Sequence, residues 1–276
     1  MNVTFWGVRG SLPTPGPSTA GYGGNTSCVS LQVEPRSLVV LDAGTGITQL
    51  GHHLPDDLER VDVMLTHLHM DHIIGLGFFE GFYREGLEVH LWGPDSTVGK
   101  LRERLSRYLS PPLFPVRLRE LPCRLALHSL PTAPFAVPGF DVTAQLVCHP
   151  GATVGYPITD SSAAVAYLPD HEPALGVRAF PESARWTSGY DLVSGVDVLI
   201  HDAQYTDEEY AARRGWGHST VGHTLALAEL GAVRRLVPFH HDPSHDDAWI
   251  DATYAALEVP DSMVLTPARE GLSLTL

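Results

Sequence analysis

The stretch Thr66-His67-Leu68-His69-Met70-Asp71-His72 packs four metal-capable side chains into six residues, directly after a short β-branched-rich run at 61–65. Imidazole nitrogens and carboxylate oxygens suit Zn²⁺, Mn²⁺ or Fe²⁺, and no cysteine stands where a structural thiolate site would need one. The spacing differs from the i, i+4 pair of a helical zinc motif, so the segment reads as a loop at a strand end. Four ligands are too many for one catalytic ion that keeps an open position, so two ions are the better account.

Working outward, other strand ends carry the same chemistry. Apolar runs ending near Val147, Leu168, Ile200 and Pro238 lead into His149, Asp170, His201-Asp202 and His240-His241. Each is a weak signal alone, since a lone strand-end histidine is more often a hydrogen-bonded structural residue. Together His149, Asp170 and His240 supply the remaining ligands, and strand ends give rigid platforms for such loops. Runs at 29–33 and 38–41 flank Glu34-Pro35-Arg36-Ser37 as a hairpin, and 155–158 and 163–168 flank a second turn. Helices are expected at about 47–53, 207–213, 221–230 and 246–257. A further helix is expected to start on Asp95 or Ser96 as N-cap and end near Arg107, and a continuous strand is expected over 142–148. The pattern is an α/β (α+β) chain with strands in both halves, best accommodated as a four-layer αββα sandwich forming one domain over 1–276.

Composition narrows the function. The 276 residues are 43% apolar and 18% charged, which is ordinary globular composition. Lys+Arg number 18 against 32 Asp+Glu, giving a net charge of -14. Such a field repels a long polyanion, which argues against an extended nucleic-acid partner but leaves room for a small anionic substrate in a local site. Three cysteines without a CxxC pattern read as reduced thiols of a cytoplasmic protein. The first ten residues do not read as a secretory signal, and no apolar run approaches the ~20 residues of a membrane helix. Basic residues concentrate between Lys100 and Arg124, as a solvated face or as a field that steers an anionic substrate or a neighbouring subunit.

The segments LDAGTG, THLHMDH, the histidine of CHPG, the aspartate of AYLPDHE and the histidine of PFHHDP occur in this order between Leu41 and His240. In them the chain resembles the metallo-β-lactamase superfamily of metal-dependent hydrolases. FWGVRGS, GGNTSC, HDAQYT and GWGHST are most similar to its phosphodiesterase branch, which includes tRNase Z, the carbon–phosphorus-lyase accessory phosphodiesterase and cyclic-nucleotide phosphodiesterase-like proteins. The resemblance implies that His67, His69 and His149 hold one metal, that Asp71, His72 and His240 hold the other, and that Asp170 and a hydroxide bridge them. It implies an orienting role for Asp42, which would accept a hydrogen bond from a ligand or from the motif loop. It also implies a catalytic set of Asp71, His218 as general acid and Asp202 as its partner, where the branch carries Glu in place of Asp202. His241 and His171 adjoin two of these positions and are left outside the ligand set. Asp170 stands where β-lactamase members often carry Cys.

The expected function is a dinuclear phosphodiesterase that attacks a small phosphodiester, such as a cyclic nucleotide, with a bridging hydroxide. Two divalent ions are implied, zinc first, with Mn or Fe sharing the same ligand types. A thioester or lactone hydrolase with the same metals is the alternative within enzymes, and a ligand sensor retaining the fold is the alternative outside them. The branch resemblance implies a homodimer.

Overall fold

The computed structural model describes residues 1–173, 175, 180–181 and 183–276. The first sheet is built from β1 (Asn2–Gly7), β2 (Cys28–Gln32), β3 (Ser37–Leu41), β4 (Arg60–Met64), β5 (Glu88–Gly93) and β6 (Arg124–Ser129). The second is built from β7 (Phe135–Val137), β8 (Phe140–Val142), β9 (Gln145–Leu146), β10 (Val154–Thr159), β11 (Ala164–Leu168), β12 (Val198–Asp202), β13 (Arg235–Phe239) and β14 (Val264–Leu265). The last strand, β15 (Ser273–Thr275), returns to pair with β1, so the first sheet runs β15-β1-β2-β3-β4-β5-β6. The second runs β14-β13-β12-β11-β10-β8-β7, with β9 also on β10.

Period-two burial explains the layers. Leu38 and Val40 of β3 point to the outer core, whereas Val39 and Leu41 point to the core between the sheets. The outer core of the first sheet is closed by α1 (Gly46–Gly51), by α3 (Leu101–Ser106), which follows α2 (Met70–Ile73), and by Phe79 and Phe82. The outer core of the second sheet is closed by α4 (Tyr190–Val193) and α6 (Val221–Leu230), which lies after α5 (Asp207–Arg213). The helix α7 (Asp247–Ala255) packs Ile250 and Tyr254 on Ala203 and Val221. Two sheets face to face with helices outside make the αββα sandwich.

Register brings the polar strand ends to one edge. Strands β3 and β4 are parallel with Leu41 beside Met64, so Asp42 and the 66–72 segment leave together. Strands β11, β12 and β13 are parallel, with Leu168 beside His201 and Asp202 beside Phe239. Asp170, Asp202 and His240 therefore emerge side by side. Tyr156 Oη donates to Leu65 O at 2.6 Å and Tyr167 Oη donates to Asp42 Oδ2 at 3.0 Å, so each ties the second sheet to the first beneath the motif.

Two element boundaries differ from expectation. The expected strand over 142–148 is divided into β8 and β9, because Pro157 of β10 faces the gap and has no N–H to donate; only its carbonyl is used, accepting from Thr143 N at 3.0 Å. The helix expected from Asp95 or Ser96 begins instead at Leu101. Gly99 has φ of 136°, outside helical space, and Lys100 is the N-cap, its N–H bonded to Glu103 Oε2 at 3.2 Å. His201 and Asp202, expected beyond a strand, are the last two residues of β12. Cys28, Cys123 and Cys148 are unpaired thiols. Among the described residues no helix is long and apolar enough to cross a membrane.

Candidate metal centre

Two groups of side chains converge at the shared edge. In the first, one ligand atom each from His67, His69, His149 and Asp170 lie within 4.8 Å of one another. In the second, Asp71, His72, Asp170 and His240 do the same. Asp170 belongs to both. His72 Nε2 is 2.9 Å and His240 Nε2 3.3 Å from its Oδ1, while His149 Nε2 is 3.6 Å and His67 Nε2 3.7 Å from its Oδ2. A third group, Asp202, His218 and His240, adjoins the second.

The donor set fits divalent cations. His67 Nε2, His72 Nε2 and Asp170 Oδ1 are buried and have no hydrogen-bond partner among the described residues. Buried polar atoms are ordinarily paired, so three orphans distributed over the two groups imply missing partners. Nitrogen and carboxylate oxygen donors without thiolate suit zinc, manganese or iron. Burial holds His67, His69 and His149 below the usual histidine range, which keeps them neutral as a ligand must be. Burial alone would raise Asp71 and Asp170, but the surrounding imidazoles, His72 and His240 among them, hold both well below the usual carboxylate range.

The chain fixes His72, His240 and His149 through the second ring nitrogen and Asp71 through a backbone N–H to its carboxylate. Asp42, fully buried with φ of 57°, accepts from Thr66 N at 2.7 Å and from His72 Nδ1 at 2.8 Å, as well as from Tyr167. His240 Nδ1 donates to Gln204 Oε1 at 3.0 Å, and His149 Nδ1 donates to Gly217 O at 2.7 Å. Ser11 N donates to Asp71 Oδ2 at 2.8 Å. Gly10, just before it, lies so close to the His240 ring that an added Cβ would stand 2.3 Å from Nδ1. This accounts for glycine in the FWGVRGS segment. His240 itself has φ of 61°, a backbone conformation that costs on the order of 1 kcal/mol in a non-glycine residue. The adjacent His241 is turned away, with Nε2 on Ala268 O at 2.9 Å, and His171 pairs with His201 at 2.9 Å.

His218 and Asp202 form a dyad beside this cluster, with His218 Nδ1 2.8 Å from Asp202 Oδ2. Burial disfavours the imidazolium, yet the Asp202 carboxylate and its hydrogen bond prevail and push the pKa up to about 9. Asp202 is itself held by His171 N at 3.1 Å and Gln204 N at 3.0 Å. The loop carrying His218 is anchored by Glu172, a fully buried carboxylate. It accepts from Tyr210 Oη at 2.5 Å, from Gly215 N at 2.9 Å and from Gly217 N at 2.8 Å. Gly217 has φ of 90°, and a Cβ there would meet His149 Nδ1 at 2.4 Å.

Gln204 and Glu172 were missed in the sequence. Gln204 lies inside the quoted HDAQYT segment and Glu172 ends the quoted AYLPDHE segment, which are the available signals; nothing local shows that Glu172 accepts mostly from backbone groups of the distant 215–217 loop.

Asp42→Asn keeps the shape but turns one acceptor into a donor facing His72 and Thr66. Divalent-metal affinity is expected to fall roughly 10- to 100-fold, measured by competition with a chelator while circular dichroism shows the fold retained.

A cleft of about 660 Å³ opens beside His67 and His69, walled on its far side by residues of the 96–113 connection. Of the basic residues between Lys100 and Arg124, Arg104 and Arg107 line it. Arg102, Arg117 and Arg119 face a separate depression, and Arg124 lies 3.5 Å from Glu88.

A family profile described as a beta-lactamase superfamily domain matches residues 38–241. Ribonuclease Z of Gemmatimonas aurantiaca is 25% identical over 99% of this chain and 95% of that protein. The metallo-beta-lactamase fold protein YhfI from Bacillus subtilis superposes with a TM-score of 0.71 at 18% identity, covering 99% of each chain. Zn(2+)-bound PqqB from Methylobacterium extorquens superposes with a TM-score of 0.69 at 20% identity, covering 100% of each.

Proposed function

The chain belongs to the beta-lactamase superfamily and is a metal-dependent hydrolase, and on that premise we propose that it is a dinuclear phosphodiesterase acting on a small phosphodiester such as a cyclic nucleotide. The observation that carries this reading is the sharing of Asp170 by two ligand groups with the Asp202–His218 dyad alongside. Two divalent cations, zinc first, held by His67, His69 and His149 on one side, by Asp71, His72 and His240 on the other and by Asp170 between them, would neutralise a phosphate and lower the pKa of a water.

The chain's own residues do the rest. Asp42 and Gln204 engage Nδ1 of His72 and His240, which orients both rings with Nε2 towards Asp170. Water, giving up one proton to solvent, adds to phosphorus and the ester P–O bond breaks. The departing oxygen takes the proton held at His218 Nε2, while Asp202 keeps Nδ1 and stabilises the imidazolium beforehand. A catalytic histidine held charged against a buried carboxylate has no use in releasing a good leaving group and most use in releasing an alkoxide.

The Gemmatimonas relative is named as a ribonuclease. The net charge of -14 here favours a substrate smaller than an RNA chain, handled by one domain in the cytoplasm.

Metal-reconstituted protein is expected to hydrolyse bis(p-nitrophenyl) phosphate, with activity lost in His67→Ala. Absence of turnover with two equivalents of metal bound would overturn the reading and move thioesters and lactones forward. Faster cleavage of RNA than of any small diester would overturn the assignment of substrate size.

A further inference from the structure

The cleft beside His67 and His69 is apolar. Leu68, Met70, Ile73, Val98 and Leu113 contribute to its walls, and Val98 and Leu113 remain 65% and 69% exposed. Exposed aliphatic side chains gathered round one opening, continuous with a catalytic centre, mark a binding surface. Its polar lining is largely committed elsewhere. Tyr108 Oη donates to Ile74 O, Arg104 is bonded to Gly99 O at 3.1 Å and to Pro94 O, and Ser96 Oγ accepts from Val98 N at 3.3 Å. Among the described residues no asparagine, glutamine, aspartate or glutamate lines it. Apart from the cluster imidazoles, Arg107 is the lining residue whose charged group makes no hydrogen bond or ion pair among the described residues, and it suits the charge of a phosphate entering the cleft.

A nucleobase offers donors and acceptors along its edge, and burying them against unresponsive walls is costly. An alkyl or aryl group has no such requirement. We infer that the cleft holds an apolar ester arm of the substrate, so that the preferred substrate is an alkyl or aryl phosphodiester rather than a nucleotide. The inference rests on the phosphodiesterase reading, keeps its small phosphodiester and replaces the cyclic nucleotide as its example. His218, which protonates the departing oxygen in that reading, is not among the residues lining the cleft. The arm lying there is therefore the one that stays on phosphorus.

The test is a series of n-alkyl p-nitrophenyl phosphates with one leaving group and a retained arm from methyl to hexyl, beside 3′,5′-cyclic AMP. With roughly a three- to four-fold gain for each methylene fully removed from water, kcat/KM is expected to rise about 10²- to 10³-fold from methyl to hexyl. Leu113→Glu and Val98→Asp, both at exposed positions that do not support the core, are expected to reduce the hexyl-to-methyl ratio at least about five-fold. Equal rates along the series, or a larger kcat/KM for the cyclic nucleotide than for the hexyl ester, would overturn the inference and leave the phosphodiesterase reading standing. A second measurement separates the two. Calorimetry on metal-free protein should give tighter binding of hexylphosphonate than of methylphosphonate, and equal binding would overturn the cleft assignment. Loss of turnover on every diester together with preferential hexylphosphonate binding would overturn only the phosphodiesterase reading.

Discussion

Asp170→Ala is expected to abolish turnover, with kcat/KM falling on the order of 10³-fold or more and bound metal dropping below two equivalents. The size of the effect follows from position. Four imidazole nitrogens approach this one carboxylate at 2.9–3.7 Å, and among the described residues it is the only side chain common to both ligand groups. Its removal takes a negative charge from both halves of the cluster, so the two cations they would hold would face one another with less charge between them. Elemental analysis after gel filtration gives the stoichiometry, and steady-state kinetics on bis(p-nitrophenyl) phosphate gives the rate. Two equivalents of metal retained with unchanged activity would refute a shared role for Asp170. Asp170→Glu serves as the control for folding, since it restores the charge in a longer side chain.

The second large effect belongs to His218. His218→Ala should lower kcat by roughly 10²- to 10⁴-fold, the usual worth of a positioned acid, while metal content stays at the wild-type value. The loss should shrink as the leaving group improves, because p-nitrophenolate departs without a proton and a simple alkoxide does not. The pH profile gives an independent sign. An acid must carry its proton, so activity is expected to be full below the pKa of His218 and to decline as pH rises through it. Asp202 pushes that pKa up to about 9, and cations held nearby oppose the shift. Asp202→Asn removes the raising influence, so the alkaline limb of kcat should move to lower pH by at least about one unit. An alkaline limb that does not move, or metal lost from His218→Ala, would assign the residue to structure instead.

Much of this site could be read from residue order alone, for a physical reason. The ligands lie at the ends of strands whose apolar runs are evident, and parallel pairing then fixes which ends meet: Leu41 with Met64, Leu168 with His201, Asp202 with Phe239. The hairpins around 34–37 and 160–163 and the helices Asp207–Arg213 and Val221–Leu230 were equally legible from turn residues and residue pattern, and in the structure Thr206 and Thr220 cap the two helices. What was not legible depends on encounters between distant segments. Pro157 interrupts a strand by facing Thr143 across the ladder, which no local propensity at 143 records. Gln204 acquires its role only when β13 delivers His240 to it, and Glu172 only when the loop at 215–217 folds back onto its carboxylate. The start of α3 at Leu101 was obscured by Asp95 and Ser96, good caps placed too early for a chain that still has to pass Gly99.

The connection between β5 and β6 has a further consequence. Two adjacent parallel strands cannot be joined by a tight turn, so a long crossover is obligatory there whatever it contains. This crossover holds Val98, Arg107 and Leu113 against the cleft, yet it supplies none of the residues that gather round Asp170. Its core-facing residues, Leu101, Leu105, Leu109 and Phe114, are buried and must be kept, whereas its cleft-facing positions are separable from them: changes confined to Val98, Arg107 and Leu113 would retune which esters are accepted without altering the chemistry performed on them.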